Sequence, residues 1–337
     1  MVLFDKVFDI FEVIYSSFKK NRNECNEDKY FFVHVPKTAG TSFRKSLAEK
    51  FVLIGDYGVD SPVTSRVVKQ FVYTKPDRFM LKMQFIEGRA QWITGHAPIY
   101  RYLDFVSAKH VFTFVRNPIE QILSHYNHFA KHSTFQGTLE DFINDEKFQN
   151  VQAKTLNVLP VSLIGYVGIT EKYYSSLSYI QSVYKMDFSF KQENVNTKKE
   201  IEVEQLSDDV LAKLVKFNCN DLKLYNSAIK LHEQRQLILK NGKDWTYSHI
   251  LVNKNGLVTG CAYFLSSNDA VDLSIIYNSK HEFKLCADSF YGDFPKANFP
   301  RQRYIGFQIN MPQYFIDFSK IKFKVRSTGQ ELEFVLM

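Results

Sequence analysis

The sequence predicts an α/β fold class: a parallel sheet flanked by helices, followed by an all-β sandwich domain. Up to about residue 240, short apolar runs alternate with helical patterns, which is typical of a parallel sheet covered by helices. Two of these runs end in a polar loop that leads directly into a helix. From Tyr247 onward, short alternating strands are separated by turn sequences such as Asn255-Gly256 and Thr328-Gly329.

The elements of the first part follow from these patterns. We expect ligands outside the carboxyl ends of the strands, where the polar loops lie. The segment 56–85 has little periodicity and several turn formers, so it is interpreted as an insertion near the bound ligands. Strands are predicted at residues 31–35, 92–95, 110–115 and 166–169, and helices at residues 41–51, 118–131, 171–184, 207–217 and 220–239.

The chain of 337 residues is predicted to comprise three regions: an amphipathic helix over residues 1–25, a ligand-binding domain over 26–240 and a β-domain over 245–337. The first helix would either lie at a membrane surface or pack on its own domain or a second subunit. Its polar face is acidic, with Asp5, Asp9 and Glu12, which favours packing.

The composition indicates which binding partners and which cellular location to expect for the protein. The net charge of +7 suits an anionic ligand, but the basic residues form no stripe with interleaved aromatic residues, so no nucleic acid is expected. The sequence has neither a long apolar span nor a signal peptide pattern, which predicts a cytoplasmic location, with the inner membrane face as the alternative. Four scattered cysteines suggest free thiols, although a pairing of Cys261 with Cys286 is left open.

The first chemical motif is YFFVHVPKTAGTSFR at residues 30–44, where an apolar strand leads into a loop and then a helix. Backbone N–H groups at a helix N-terminus, one lysine and several hydroxyls suit a phosphate group. The lysine precedes the lone glycine, which excludes the nucleotide-triphosphate loop sequence. The predicted binding residues are Pro36, Lys37, Thr38, Ala39, Gly40, Thr41 and Ser42.

The second motif is VFTFVRNPIEQILSHY at residues 111–126. Asn117 is the predicted N-cap, Pro118 the first helical residue and Glu120 the acid of a capping box. Arg116 therefore ends a strand, and Ser124 lies two turns along the helix on the face that Asn117 starts. Both side chains are predicted to reach one ligand.

Between the two motifs, the strand and turn WITGHAP at residues 92–98 contain His96. A histidine with an ordinary pKa can accept a proton at neutral pH, so His96 is a candidate general base. On the next helix, His125, His128 and His132 recur at helical spacing. Three such histidines can bind zinc, but no glutamate follows the first one. A polar stripe that faces either solvent or a substrate is therefore favoured.

These motifs resemble those of sulfotransferases that use 3′-phosphoadenosine-5′-phosphosulfate (PAPS), particularly heparan-sulfate-type enzymes and related bacterial polysaccharide sulfotransferases. PKTAGTS resembles their 5′-phosphosulfate loop, and Arg-Asn-Pro followed by a helical serine resembles their 3′-phosphate element. A later segment, GYVGITE at residues 165–171, extends the resemblance to roughly residues 26–235. The resemblance implies a P-loop-like sheet, PAPS bound by the Lys37 loop with Arg116 and Ser124, and His96 as the base, without a metal.

The resemblance also has limits. The family's His-Gly-His pattern is Thr94-Gly95-His96 in this chain, which leaves open the hydroxyl that would be modified. The β-domain resembles, more weakly, domains appended to bacterial polysaccharide glycosyltransferases, which points to a bacterial surface polysaccharide or glycolipid as the carbohydrate acceptor. The alternative is a glycan-binding or scaffold protein with a degenerate nucleotide cradle. A kinase-like transferase is disfavoured, since the lysine after the glycine and a magnesium-binding partner are both missing.

Overall fold

The computed structural model describes residues 28–132, 134–187, 203–312 and 317–337. The helix predicted over residues 1–25 lies outside these residues. The first part contains a five-stranded parallel sheet in the order β2-β3-β1-β4-β5. Its strands are β1 (Tyr30–Val33), β2 (Leu53–Asp56), β3 (Trp92–Gly95), β4 (Val111–Val115) and β5 (Tyr166–Ile169).

Helices connect and flank these strands. They are α1 (Gly40–Ala48), α2 (Arg66–Val68), α3 (Arg78–Ile86), α4 (Pro118–Lys131), α5 (Leu139–Asn144), α6 (Val151–Leu156), α7 (Tyr173–Tyr184), α8 (Asp208–Phe217) and α9 (Cys219–Lys240). The α/β class with a parallel sheet flanked by helices is therefore confirmed, and the predicted bounds of α4 agree with the structure.

The central strands bury both faces, as parallel strands between helices must. Phe31 and Val33 join the hydrophobic cluster on one face, whereas Phe32 joins the cluster on the other. All five residues of β4 are buried. This alternation fixes the register of β1 against both neighbours, because a shift by one residue would exchange the faces.

The sequence analysis predicted neither strand β2 nor the helices within residues 56–85, which it interpreted as an insertion. The segment contains α2, a six-residue π-helix (Lys69–Thr74) that continues it, and α3. Asp56, at the end of β2, anchors the segment: its buried carboxylate accepts hydrogen bonds from Tyr73 at 2.6 Å and from Arg101 and Tyr102 at 2.7 Å. Burial acts to raise the pKa of Asp56, but these hydrogen bonds outweigh it and hold the pKa below its usual value.

The second part contains two β-sheets whose strands are mostly antiparallel. One has the order β10-β11-β7-β6-β14, with β14 parallel to β6, and the other has the order β13-β12-β8-β9. Buried residues of both sheets form one hydrophobic cluster. The strands are β6 (Thr246–Val252), β7 (Leu257–Phe264), β8 (Val271–Tyr277), β9 (His281–Ala287), β10 (Ser289–Phe290), β11 (Tyr304–Asn310), β12 (Ile321–Val325), β13 (Glu331–Leu332) and β14 (Val335–Leu336).

The two parts share a core around Gly165, just before β5. The Gly165 carbonyl oxygen accepts hydrogen bonds from Arg235 at 2.7 Å, Tyr247 at 2.8 Å and Tyr184 at 2.9 Å. Arg235 is buried, and its guanidinium also lies over the ring of Trp245. A side chain at residue 165 would collide with the main chain, since an added Cβ would lie 2.1 Å from the Lys109 carbonyl oxygen.

The cysteines and the helices of the described residues bear on two further expectations. Cys261 and Cys286 are both free thiols there, so the pairing that the sequence left open is not formed. Across the described ranges, every helix is too short or too polar to cross a lipid bilayer.

Candidate functional site

The Lys37 loop joins β1 to α1 and has an unusual backbone. Lys37 and Ala39 both adopt left-handed conformations, with φ of 65° and 63°, which residues with a side chain rarely do. The Thr38 hydroxyl is buried and donates to the Val35 carbonyl at 2.9 Å, which ties the loop back to the strand. Left-handed residues at every second position turn successive backbone N–H groups toward one side of the loop. The loop then forms a concave surface of donors that suits an anion.

The loop N–H groups are available as donors. Among the described residues, the backbone N–H groups of Thr38, Ala39 and Gly40 donate to no backbone acceptor, whereas Ser42 and Phe43 donate to the Ala39 carbonyl. Helix α1 begins at Gly40, so its partial positive charge adds to these donors. The geometry of residues 38–40 is therefore compatible with their predicted role as anion ligands.

Gly40 is required for a steric reason that the sequence analysis did not identify. An added Cβ would lie 2.1 Å from Cδ2 of His34, a buried side chain on the adjacent strand end. Glycine therefore lets the imidazole of His34 pack directly against the start of α1.

Arg116 and Lys37 lie together. The Arg116 guanidinium is half-buried at the end of β4, and its Nη1 atom lies 3.5 Å from the Lys37 carbonyl oxygen. Burial lowers the pKa of the Lys37 ammonium, and the charge of Arg116 lowers it further. Two cations held in proximity form a local excess of positive charge that an anionic ligand would relieve.

The main chain of Arg116 is fixed by Gln152 at the start of α6. The buried Gln152 amide accepts from the Arg116 N–H and donates to the Arg116 carbonyl, each at 2.9 Å. Asp221 in turn accepts from the N–H groups of Gln152 and Ala153, at 3.2 and 2.6 Å. Burial raises the pKa of Asp221 to about 6.

The start of α4 confirms one prediction and corrects another. Asn117 is the N-cap and accepts from the N–H groups of Ile119 and Glu120 at 3.0 and 3.4 Å. The predicted capping box is wrong, because the Asn117 N–H donates to Glu171 at 2.8 Å instead. Glu120 is therefore released to form an ion pair with Arg116 at 3.0 Å, which orients the guanidinium.

Ser124 is half-buried on α4. One turn earlier on the same helix, Gln121 donates to the Pro36 carbonyl at 2.9 Å, so this face of α4 is turned toward the Lys37 loop. The structure thus places Ser124 on the predicted face, although the described residues show no direct hydrogen bond between Ser124 and Arg116.

His96 follows β3, and its environment defines its tautomer. Its Nδ1 atom lies 2.7 Å from the His34 carbonyl oxygen. A carbonyl can only accept, so Nδ1 carries the proton and the neutral ring has its lone pair on Nε2. His96 is an exposed residue, but the atoms around its ring displace part of the water, and this desolvation lowers its pKa. The hydrogen bond to the His34 carbonyl opposes this shift, and the charge of Arg44 adds to it. Because the ring remains open to solvent, we expect a modest decrease.

His34 was missed by the sequence analysis, although a histidine within the apolar run YFFVHV was a usable signal. Its ring lies 4.4 Å from that of His96, and its Nδ1 atom lies 3.0 Å from the hydroxyl of Tyr57. The Tyr57 hydroxyl also lies 2.9 Å from that of Thr94. Burial and then the charge of His96 hold the pKa of His34 well below its usual value, so His34 is neutral.

The three histidines at and near the end of α4 lie in two different environments. His125 is buried against the rings of Phe129, Phe142 and Phe148, so the prediction of a shared polar stripe is wrong at this residue. His128 and His132 are exposed, with ring centroids 4.6 Å apart. Within the described ranges, the histidine, cysteine and acidic side chains form no group of three that could hold a metal ion.

The site therefore brings Lys37 and Arg116 into contact and places His34 between the Lys37 loop and His96. No protein-family model, curated protein or solved structure gives a significant match to the chain.

Proposed function

We propose that the protein is a PAPS-dependent O-sulfotransferase that acts on a carbohydrate hydroxyl. One observation carries the proposal: the Lys37 loop is in contact with Arg116, and His34, which packs on that loop at Gly40, also fixes the tautomer of His96. These contacts support a cradle for two phosphates beside a histidine whose Nε2 atom can accept a proton. The order of the three motifs in the sequence supports the same assignment.

In the proposed reaction, the P-loop-like cradle binds the donor. Lys37 and the N–H groups of residues 38–40 bind the 5′-phosphosulfate, and Thr41 and Ser42 line the first turn of α1 beside it. Arg116 and Ser124 bind the 3′-phosphate. Arg116 uses one nitrogen for Glu120, but a guanidinium has five N–H donors, so others can still bind phosphate oxygens.

The chemical step is an in-line displacement at sulfur. The acceptor hydroxyl loses its proton to Nε2 of His96 as its oxygen bonds to sulfur, and the bond from sulfur to the phosphate oxygen breaks. Adenosine 3′,5′-bisphosphate leaves, and Lys37 stabilises the charge that grows on its bridging oxygen. All atoms and charges are accounted for without a further reactant.

The proposed acceptor is a bacterial surface polysaccharide or glycolipid, which the enzyme would meet in the cytoplasm or at the inner membrane face. A cavity lined by Arg44, Tyr57 and Thr94 lies beside the histidine pair and has a volume of about 280 Å³. Its Arg44 guanidinium suits a polar acceptor such as a sugar, whereas the hydroxyls of Tyr57 and Thr94 already bond to each other and the remaining lining includes the apolar Phe51 and Leu53.

The test is mass-detected sulfate transfer from PAPS to a panel of glycans. Lys37→Ala should reduce turnover by about a hundredfold, the scale for loss of one transition-state donor. Lys45→Ala, a change of the same kind at an exposed position of α1, should retain activity. His96→Ala should still bind adenosine 3′,5′-bisphosphate but transfer no sulfate.

Other outcomes decide against the proposal. If the Lys37 and Lys45 variants transfer sulfate equally well, the loop is not the donor site. If the protein binds glycans but neither PAPS nor adenosine 3′,5′-bisphosphate, the alternative of a glycan-binding protein with a degenerate cradle is correct.

A further inference from the structure

Asp56, at the end of β2, contacts both ends of the loop that begins with His96. Its main-chain carbonyl accepts a hydrogen bond from the His96 N–H at 3.0 Å. At the other end of the loop, Arg101 and Tyr102 each donate to its carboxylate oxygen Oδ2 at 2.7 Å. One residue of β2 therefore holds residues 96–102 in place from both sides.

The carboxylate of Asp56 is fixed in its orientation. It is buried, and its second oxygen, Oδ1, accepts from the Tyr73 hydroxyl at 2.6 Å. Because a buried charge that loses its partners is strongly unfavourable, the carboxylate is held to these three donors. Tyr73 lies outside the loop of His96, so the carboxylate ties that loop to the segment that follows β2.

The end of β2 also contacts each residue of the segment Thr94-Gly95-His96 on β3. Asp56 pairs with Gly95, where an added Cβ would lie 2.0 Å from the Asp56 carbonyl oxygen. Glycine therefore lets the two main chains approach, so that the next N–H reaches that carbonyl. The Tyr57 hydroxyl lies 2.9 Å from that of Thr94, and the Tyr57 ring meets the His96 ring edge-on at 4.9 Å.

These contacts matter because a general base must lie within hydrogen-bond reach of the proton that it accepts. A displacement of about 1 Å can cost about a hundredfold in rate. The His34 carbonyl fixes the ring of His96, whereas Asp56 fixes its main chain. Desolvation lowers the pKa of His96, and the negative charge of Asp56 opposes that shift.

We propose that Asp56 is a positioning residue for the proposed reaction: by holding both ends of the loop 96–102, it places His96 to accept the proton of the acceptor hydroxyl. Its role rests on the proposed function, in which His96 is the general base. Asp56 acts through His96 and is not itself a ligand of the donor, so its loss should affect the chemical step more than donor binding.

The test compares two tyrosines that donate to the same carboxylate. Tyr102→Phe removes the hydroxyl that ties the loop of His96 to Asp56, whereas Tyr73→Phe removes one from outside that loop. In the full chain, Tyr102→Phe should lower kcat for sulfate transfer by about threefold to tenfold, with the KM for PAPS unchanged. It should also shift the NMR signals of the His96 ring. Tyr73→Phe should change both quantities less.

Asp56→Asn keeps the shape of the side chain but removes its charge. It should lower kcat by about tenfold to a hundredfold and lower the pKa of His96 in an NMR titration, with circular dichroism as the check on folding. If the wild type transfers no sulfate, the proposed function fails, and the NMR measurements alone decide whether Asp56 positions His96. The proposal is overturned if folded Asp56→Asn titrates His96 as the wild type does, or if Tyr102→Phe alters the His96 signals no more than Tyr73→Phe.

Discussion

The Nδ1 atom of His96 lies 2.7 Å from the main-chain carbonyl oxygen of His34. This contact joins the end of β3 to the end of β1 and leaves Nε2 of His96 as the basic atom. The His-Gly-His pattern of the sulfotransferases that the motifs resemble supplies two histidines from one segment, whereas in this chain His34 lies beside His96 from another strand. The site thus contains a pair of histidines that lie on different strands, so no short sequence motif contains both.

The first prediction concerns the titration of His96. Desolvation and Arg44 disfavour the charged ring, so the pKa of His96 should lie below its ordinary value of 6.5. Arg44→Met removes the nearby cation and should raise this pKa, whereas Lys45→Met on the exposed face of α1 should change it less. An NMR titration of the His96 ring measures both shifts without relying on activity. A midpoint above 6.5 in the wild type would contradict the account.

The second prediction concerns the contact between Gly40 and His34. In Gly40→Ala the new methyl group would collide with the buried imidazole, which should lower the free energy of unfolding by about 1–3 kcal/mol. Urea denaturation measures the change. Gly292→Ala is the matched control, because an added Cβ at that residue meets no atom within 4 Å.

The same contact predicts coupling between the two positions. His34→Ala removes the ring that the Gly40→Ala methyl group would strike, so the double variant should be more stable than the sum of the two single changes implies. Additive effects would show that His34 and Gly40 do not constrain each other.

A third prediction concerns stability in acid. Burial lowers the pKa of His125 to about 4, with a further contribution from Lys37. The unfolded chain binds the proton near pH 6.5, so the stability contributed by neutral His125 is present above that pH and is lost as the pH falls toward 4. His125→Phe should therefore lose less stability over this window than the wild type, by at most about 3 kcal/mol.

Thermal or urea unfolding at a series of pH values measures this difference. His132→Phe, an exposed position at the end of the same helix, is the control and should follow the wild type. Parallel stability curves for His125→Phe and the wild type would contradict the burial of a neutral imidazole.

Local signals in the sequence were sufficient for some elements. Helix α4 was predicted with its observed bounds because Asn117 and Pro118 form a start signal that depends only on adjacent residues. Strand β2 was missed because its four residues, LIGD, contain only two large apolar side chains and gain their strand geometry by pairing with β3. Such pairing depends on residues about forty positions away, which a local pattern does not reveal.

In the candidate site, too, some relationships could be predicted from local sequence and others could not. The proximity of Lys37 and Arg116 could be predicted because each lies in a loop between a strand and a helix, and the fold brings such loops together. The role of Glu120 could not be predicted, because Glu171, far along the chain, occupies the N–H that a capping box would use. His34 resembled a core residue because the sequence does not reveal its contacts with Gly40 and His96.

The most direct test of the central claim compares two nucleotides by calorimetry without metal ions: adenosine 3′,5′-bisphosphate and adenosine 5′-monophosphate. The account predicts that the bisphosphate binds more tightly, and that Arg116→Ala weakens it by about tenfold to a hundredfold while leaving the monophosphate unaffected. Lys37→Ala should weaken both nucleotides. If Arg116→Ala weakens both equally, or if neither nucleotide binds the wild type, Lys37 and Arg116 do not form a cradle for the two phosphates and the account is contradicted.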